Sequence, residues 1–274
     1  MVDRLGPQDP LEGLTEIGVD ELSYRKHHEY VTVVIDHRHQ RIVWAAKGKS
    51  ADTLRGFFEA LGSERCAKLE AVTIDMSAAY IKAVSDAAPQ ARVVFDTFHV
   101  QRLAHDALDQ VRRAEVREVA EPAQRAALKH SRFALQKNTW NLTDIEHQKV
   151  AEVQRTNRRL YRGYLLKETL AEILRGTDPT VAETKLKEWT SWASHSQLAP
   201  FVRVAGTIRK HMAGIVAYVA TGLTNARTEG LNGKARTITR RSYGLHSASS
   251  LIAMLFLCCS GLVLTPIHKL PRTH

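Results

Sequence analysis

Three acidic residues have the surroundings expected of a metal-dependent phosphoryl-transfer site. Asp20 ends the apolar run of EIGVDELS, Asp75 ends that of LEAVTIDMS, and Glu229 opens the basic segment TEGLNGKARTITRR. Two aspartates at the ends of predicted strands and a glutamate entering a late helix predict a cage for divalent metal. Two metal ions about 4 Å apart can activate a water and stabilise the leaving oxygen on a phosphate. Mg²⁺ suits such a site because it prefers hard oxygen ligands and keeps several waters.

Two of these acids have an alternative: another residue could be the ligand in place of Asp20, and Glu229 could have a different role. Glu21 stands beside Asp20, and successive side chains of a strand point to opposite faces. We favour Asp20 as the ligand because the predicted strand ends there and Glu21 lies past its end. Glu229 has an alternative as a first-turn acid that favours the helix dipole.

Asp96 and His99 form a D-x-x-H pair directly after the last predicted strand. One interpretation, implied by the resemblance described below, is that the pair lies near the active site and orients the metal ligands or the DNA. The other is that Asp96 caps the next helix and His99 packs beneath it. Histidine is a poor ligand for Mg²⁺, so we do not expect His99 to bind the metal directly.

Basic residues lie close to these acids in the sequence and are predicted to bind a nucleic acid, which the resemblance described below implies is DNA. They are Arg112, Arg113, Lys234, Arg236, Arg240 and Arg241. On a helix, Glu229, Arg236 and Arg240 would share roughly one face. That face would place the two arginines in line with the predicted catalytic glutamate, where phosphates must pass. The alternative is a solvated basic face.

The predicted elements alternate in a way that implies a mixed sheet with helices on its faces. Strands are predicted at 14–20, 29–36, 41–46, 70–75 and 91–96, with helices at 51–62 and 78–87. Further helices are predicted at about 97–120, 121–136, 143–174, 178–195 and 198–220. The order of the first seven elements matches the ribonuclease H-like fold, in which Asp20 and Asp75 would end adjacent strands.

This pattern predicts a core interrupted by a helical domain. Residues 1–99 would form the first part of the core, residues 100–220 an all-α insertion, and residues 221–274 the completion of the core with the Glu229 helix and a C-terminal helix. The tract from Leu251 to Leu264 is the most apolar of the chain. It is short for a membrane span, which needs about 20 residues, so a buried terminal helix is the preferred interpretation.

Composition allows one large domain or a domain with an insertion, and it favours a polyanionic partner. The chain has 274 residues, a formal net charge of +10 and a pI of about 9.6. Such a charge can serve solubility alone, or it can bind nucleic acid through the release of counterions. The three cysteines form no C-x-x-C pair, which gives no support to a cysteine zinc site. The amino terminus has no apolar signal core, and reduced thiols in a cytoplasmic protein are expected.

Four stretches of the chain resemble the ISL3 family of DDE transposases from bacterial insertion sequences. They are IGVDELS, TIDMSAAYIKAV, ARVVFDTFHVQRLAHDALDQVRR and TNARTEGLNGKARTITRRSYGLHS, in the family's order and over nearly the whole chain. The resemblance implies that Asp20, Asp75 and Glu229 hold two Mg²⁺ ions, for which Mn²⁺ can substitute. It also implies an α/β, ribonuclease H-like core with a large all-α insertion.

The same resemblance implies partners and a location. The partner would be double-stranded DNA at the transposon ends and the target, bound by a homo-oligomer in the bacterial cytoplasm, associated with the nucleoid and not with a membrane. Family members usually carry an amino-terminal zinc-binding and helix-turn-helix region, which we do not find before the first predicted strand. We therefore expect a catalytic portion only.

The expected function is DNA cleavage that releases a 3′ hydroxyl, followed by attack of that hydroxyl on target DNA. Two alternatives stay open. One is a ribonuclease H-like nuclease or resolvase without strand transfer, and the other is an inactive DNA-binding remnant of a transposase.

Overall fold

The computed structural model describes residues 9–25, 29–223, 230, 233–234, 237 and 247–261. The chain divides into two compact units. The sheet unit comprises Met1–Val94 and Leu223–His274, and the helical unit comprises Phe95–Gly222.

The sheet unit is built on five strands in the order β3-β2-β1-β4-β5. The strands are β1 Glu16–Arg25, β2 Glu29–Asp36, β3 Arg41–Lys47, β4 Ala71–Ile74 and β5 Arg92–Phe95. The pairs β1/β2 and β2/β3 are antiparallel, and β1/β4 is parallel. The helices are α1 Ala51–Leu61, α2 Ser63–Cys66, α3 Ala78–Ala87 and, late in the chain, α12 Ala248–Cys259. This mixed sheet with helices confirms the predicted α/β class.

Helix α1 forms because its apolar residues recur at helical spacing and its first turn is capped. Leu54, Phe57, Phe58 and Leu61 are buried. Ser50 is the N-cap, and its side chain accepts a hydrogen bond from the backbone N–H of Thr53. The threonine side chain bonds back to the cap, so the first turn of α1 is closed from both sides.

Helix α12 covers another part of the sheet with an apolar stripe. Leu251 and Leu255 are buried in a cluster with residues from the three antiparallel strands, namely Leu22, Val31, Val33, Ile35 and Ile42. The described part of the tract predicted as a buried terminal helix is therefore helical and packs on the sheet; residues 262–264 lie outside the described residues. Within the described residues, no helix is long and apolar enough to cross a membrane.

The prediction that the first strand ends at Asp20 was wrong, because β1 continues to Arg25. The residues after Asp20 keep the alternation of a half-buried strand, and Leu22 pairs with Val31 of β2 inside the apolar cluster. The parallel pairing of β1 with β4 runs from Glu16 to Gly18. Antiparallel pairing with β2 extends β1 further, to Arg25. Asp20 lies within β1, and Glu21 is a strand residue as well.

The helical unit consists of helices joined by short turns. They are α4 Thr97–Glu118, α5 Pro122–His130, α6 Arg132–Gln136, a 3₁₀ turn Thr139–Asn141, α7 Asp144–Thr156, α8 Arg158–Leu174, α9 Pro179–Ser194, α10 Ala199–Lys210 and α11 Met212–Thr221. Residues 96–222 are all described and contain no strand. The core of this unit includes Trp189, whose indole N–H donates to the carbonyl of Leu166 at 2.8 Å.

Three of the predicted helices are each two helices in the structure. The range 121–136 is divided at Ser131, 143–174 at Asn157 and 198–220 at His211. At Asn157 the cause is a side chain that competes with helical hydrogen bonding. Its Oδ1 accepts from the backbone N–H of Leu160 at 2.8 Å and so starts a new helix.

Candidate functional site

The register of the sheet places the two predicted catalytic aspartates at corresponding positions of neighbouring parallel strands. Gly18 of β1 pairs with Thr73 of β4. Asp20 follows Gly18 by two residues within β1, and Asp75 follows Thr73 by two residues, one position past the end of β4. Adjacent strands lie about 4.8 Å apart, so the two carboxylates are carried to the same edge of the parallel pair.

Local backbone hydrogen bonds orient both carboxylates. The Oδ1 atom of Asp75 accepts from the backbone N–H of Ser77 at 2.9 Å, in the turn between β4 and α3. The Oδ1 atom of Asp20 accepts from the backbone N–H of Glu21 at 2.7 Å. These hydrogen bonds set the orientation of one oxygen of each carboxylate.

Asp20 and Glu21 point to opposite faces of β1. Asp20 pairs with Val33, which belongs to the apolar cluster beneath α12. Glu21 pairs with Thr32, whose hydroxyl lies 3.2 Å from the hydroxyl of Tyr80 on α3. Directly paired residues of an antiparallel ladder share a face, so Asp20 belongs to the α12 face and Glu21 to the α3 face.

Glu21 is nevertheless part of the electrostatics of this site, which the sequence did not predict. Burial raises the pKa of the Glu21 carboxyl, and the negative charges of Asp75 and Asp20 raise it further. A hydrogen bond with Tyr80 and the charge of Lys49 act in the opposite direction. Three acids and one lysine therefore interact at this edge of the sheet.

The loop after β3 is built to hold Lys49 in place. The backbone N–H of Gly48 donates to the carbonyl of Tyr30 at 2.9 Å, and the Thr32 hydroxyl donates to the carbonyl of Gly48 at 2.8 Å. Lys49 Nζ lies 3.8 Å from the centroid of the Tyr30 ring, a cation–π contact. A positive charge is thereby held in this loop, where it acts on the Glu21 carboxylate.

The donor set at this edge fits a hard divalent cation, although the described residues do not complete a cage. Asp20 and Asp75 supply carboxylate oxygens, the ligands that Mg²⁺ prefers. Among the described residues, no group of three or more His, Cys, Asp or Glu side chains is placed to hold a metal. Glu229, the third predicted ligand, lies outside the described residues.

Asp96 is the N-cap of α4. Its Oδ1 accepts from the backbone N–H of Phe98 at 3.0 Å, and the residue is 6% exposed. The ring of His99 meets the exposed ring of Phe98 edge to face, with centroids 5.6 Å apart. The capping interpretation of Asp96 thus has a structural basis, and the part of the pair in orienting ligands or DNA stays a prediction.

The predicted DNA-binding residues differ in accessibility. Arg112 is buried, and its Nε and Nη2 donate to Asp109 Oδ1 at 2.9 and 2.7 Å. The side chains of Arg113 and Lys234 are exposed. Outside the described residues lie Arg236, Arg240 and Arg241.

Comparisons with known proteins give one consistent result. The family model described as Transposase, for the ISL3 group of DDE enzymes, matches residues 17–255. A transposase for insertion sequence element IS1557 of Mycobacterium tuberculosis (strain ATCC 25618 / H37Rv) is 37% identical over an alignment of 277 residues. The alignment covers 92% of this chain and 62% of the relative. A transposase for insertion sequence element IS1001 of Bordetella parapertussis is 31% identical over 231 residues, covering 83% of this chain and 57% of that relative. The chain therefore spans less than two thirds of the length of these relatives.

Proposed function

The chain belongs to the ISL3 family of DDE transposases, and we propose that it catalyses metal-dependent cleavage and transfer of DNA strands. The observation that carries the proposal is the position of Asp20 and Asp75, two residues beyond a paired position on neighbouring parallel strands. That arrangement brings two hard ligands to one edge of a sheet, as phosphoryl transfer with divalent metal requires.

The proposal includes a ribonuclease H-like core. The support is the strand order β3-β2-β1-β4-β5, in which an antiparallel meander is followed by strand–helix–strand units. Residues 100–220 would then be an all-α insertion between two segments of the core, and residues 221–274 would complete the core. The separate compactness of Phe95–Gly222 supports this division.

In this proposal Asp20, Asp75 and Glu229 hold two Mg²⁺ ions, and Mn²⁺ can replace them. When bound, such ions supply activation of the attacking water and stabilisation of the leaving oxygen. The protein's own contribution is placement. The turn at Ser77 fixes the Asp75 carboxylate, and the backbone N–H of Glu21 fixes that of Asp20.

Basic side chains would offset the charge that the phosphate brings to the acids. The charge of Lys49 acts on Glu21, and Lys234 is exposed on the segment that follows Glu229. Arg236, Arg240 and Arg241 are proposed on sequence grounds to bind the same backbone. Phosphoryl transfer relies on such positioning and charge stabilisation, so no covalent protein intermediate is needed.

The proposal is tested by Asp75→Asn in the chain fused to a sequence-specific DNA-binding module. Nicking of a plasmid that carries the module's site is measured on gels with Mg²⁺ or Mn²⁺, and DNA affinity is measured separately. We expect nicking to be abolished and affinity to be nearly unchanged, because an amide binds metal weakly yet repels phosphate less. Asp86→Asn, on the exposed end of α3, is the matched control and should nick like the parent.

Two outcomes would decide against the proposal. If Asp75→Asn nicks at nearly the parent rate with metal, Asp75 is not a catalytic ligand. If the parent nicks but never joins a 3′ end to target DNA, a ribonuclease H-like nuclease is the better description.

A further inference from the structure

A single buried carboxylate in the helical unit gathers three arginines from two helices. Asp109 of α4 accepts from Arg112, and its Oδ2 pairs with Arg113 Nε at 2.7 Å. Arg132, the first residue of α6, brings its Nε to 3.7 Å from Asp109 Oδ1. We call these four residues the arginine cluster.

The arginine cluster carries more positive charge than its own acid can neutralise. One carboxylate faces three guanidinium groups, and among the described residues no other acid forms an ion pair with these arginines. Burial alone would raise the pKa of Asp109, but the hydrogen bonds and charge of Arg112 and the charges of the other two arginines keep that pKa below its ordinary value. The acid therefore stays ionised and holds the arginines, and the excess charge remains for an external anion.

The three arginines differ in what they can reach. The side chain of Arg112 is 10% exposed and serves the ion pair inside the protein. The side chains of Arg113 and Arg132 are 61% and 51% exposed. Both approach Asp109 through Nε, so the outer part of each guanidinium fork is directed away from that bond. Guanidinium forks suit phosphate oxygens because they donate two parallel hydrogen bonds.

We propose that Asp109 holds Arg113 and Arg132 as a clamp for the backbone phosphates of DNA, with Arg112 as its buried support. The proposal rests on the proposed function only in taking DNA as the polyanion. Arg132 and the organising acid were not predicted from the sequence, and Arg112 takes a supporting role instead of a direct one. Phe133, 73% exposed beside Arg132, adds an open apolar ring to the same surface.

The test measures binding of the whole chain to a fluorescent DNA duplex by anisotropy across a series of salt concentrations, without divalent metal. For Arg113→Gln and for Arg132→Gln we expect weaker binding at every sequence. The slope of log K against log salt should become shallower by about 0.9 for each phosphate contact removed. Arg155→Gln is the matched control, because Arg155 is exposed on α7 of the same unit and belongs to no such cluster.

A charge-conserving variant distinguishes a clamp that depends on guanidinium geometry from electrostatic attraction that depends on charge alone. In Arg113→Lys the single ammonium can pair with Asp109 but cannot also present a fork to phosphate. We therefore expect Arg113→Lys to bind DNA as weakly as Arg113→Gln, whereas Arg155→Lys should bind like the parent. Circular dichroism should show the parent's helical signal for all variants, because both clamp arginines are more than half exposed.

The proposal is overturned if Arg113→Lys keeps the parent's affinity, or if Arg155→Gln changes the salt slope as much as the cluster variants. It is also overturned if the cluster variants leave DNA binding unchanged and weaken binding of an acidic polypeptide instead. Because no metal or cleavage enters the assay, persistent nicking by Asp75→Asn, which would count against the proposed function, and failure of this clamp are separate results.

Discussion

Gly48 is the residue on which the position of Lys49 depends most directly. Its φ of +119° is a backbone conformation that L side chains rarely adopt, and a Cβ there would lie 2.5 Å from Thr53 Oγ1. That oxygen cannot move aside freely, because it belongs to the capping box of α1. We expect Gly48→Ala to lower the free energy of unfolding by about 1–3 kcal/mol, measured by urea denaturation.

The matched control for this substitution is Gly206→Ala. Gly206 lies inside α10, and a Cβ there would meet nothing within 4 Å. Alanine favours the helix, so this variant should gain about 0.5–1 kcal/mol. Equal stability of Gly48→Ala and the parent would show that the turn tolerates a side chain.

His105 is expected to make the helical unit sensitive to acid. Burial lowers the pKa of His105, and the charge of Lys167 lowers it further, while a hydrogen bond with Gln136 and the charges of Glu168 and Asp106 oppose this. The folded protein keeps the imidazole neutral below the ordinary value of 6.5, whereas the unfolded chain takes up a proton there. The free energy of unfolding should therefore fall as the pH drops below about 6.5.

The measurement is urea denaturation at a series of pH values, followed by tryptophan fluorescence. The buried Trp189 reports on the helical unit. His105→Asn should flatten the acid limb of the stability curve, and His147→Asn, on the exposed surface of α7, should leave it as in the parent. An unchanged acid limb in His105→Asn would assign the effect to other groups.

Residue types identified part of the candidate site, and tertiary structure supplied the rest. Asp20 and Asp75 were predicted as ligands because each ends an apolar run, and the pairing of Gly18 with Thr73 sets both on neighbouring strands of the sheet; their role as ligands stays a prediction. Glu21 was set aside because the strand was expected to end before it. Its contact with Tyr80 and the approach of Lys49 arise only when β1, α3 and the loop after β3 are packed together.

At the scale of elements, Asn157 joins a helix cap to a contact between helices. Its Oδ1 caps α8, and its Nδ2 donates to Glu115 Oε2 of α4 at 3.0 Å, with both residues buried. Asn157→Ala should cost about 1–3 kcal/mol, because it removes the cap and leaves a buried carboxylate oxygen without its donor. Thermal denaturation followed by circular dichroism measures the loss.

Thr143→Ala provides the comparison for that cap. Thr143 caps α7 through a capping box with Glu146, but it is exposed to solvent. Water can replace its hydrogen bonds, so we expect the smaller cost of a surface cap, about 0.5–1 kcal/mol. If Thr143→Ala costs as much as Asn157→Ala, the bond to Glu115 adds nothing.

Helix ends could be predicted from the sequence where they depend on the residue types at the end itself. Pro122, Pro179 and Pro200 each lie in the first turn of a helix, as their fixed φ and missing N–H favour. The divisions at Ser131, Asn157 and His211 contain no proline or glycine, and apolar periodicity continues across them. At Ser131 and Asn157 side-chain bonds accompany the division, such as that from Ser131 Oγ to the carbonyl of Leu128 at 2.8 Å, and apolar periodicity does not encode such bonds.

For the whole molecule, the order of strands and helices along the chain was sufficient to predict an α/β protein with a mixed sheet. Which segments pack together was harder to predict from the sequence, because these segments lie far apart in the chain. The apolar cluster beneath α12 unites Val33 with Leu251 and Leu255, more than two hundred positions later in the sequence. Nothing in the local pattern of either segment identifies the other as its partner.

The packing of these distant segments within the sheet unit leads to a prediction about how the two units unfold. Leu255 is fully buried against the sheet, so Leu255→Ala should cost the sheet unit about 2–5 kcal/mol through lost burial and a cavity. The helical unit has its own core around Trp189 and Phe201 and should keep its stability. Hydrogen exchange measured by mass spectrometry should show faster exchange in β2 and β3, with α8 and α9 unchanged.

Leu257→Ala is the control, because this leucine lies on the same helix and is 44% exposed. It should leave exchange in both units as in the parent. Asp20 pairs with Val33 of the same apolar cluster, so Leu255→Ala should also slow metal-dependent nicking while DNA binding by the helical unit persists. Faster exchange in α8 and α9 to the same extent as in β2 would mean that the two units unfold as one, and the prediction of separate stability would be wrong.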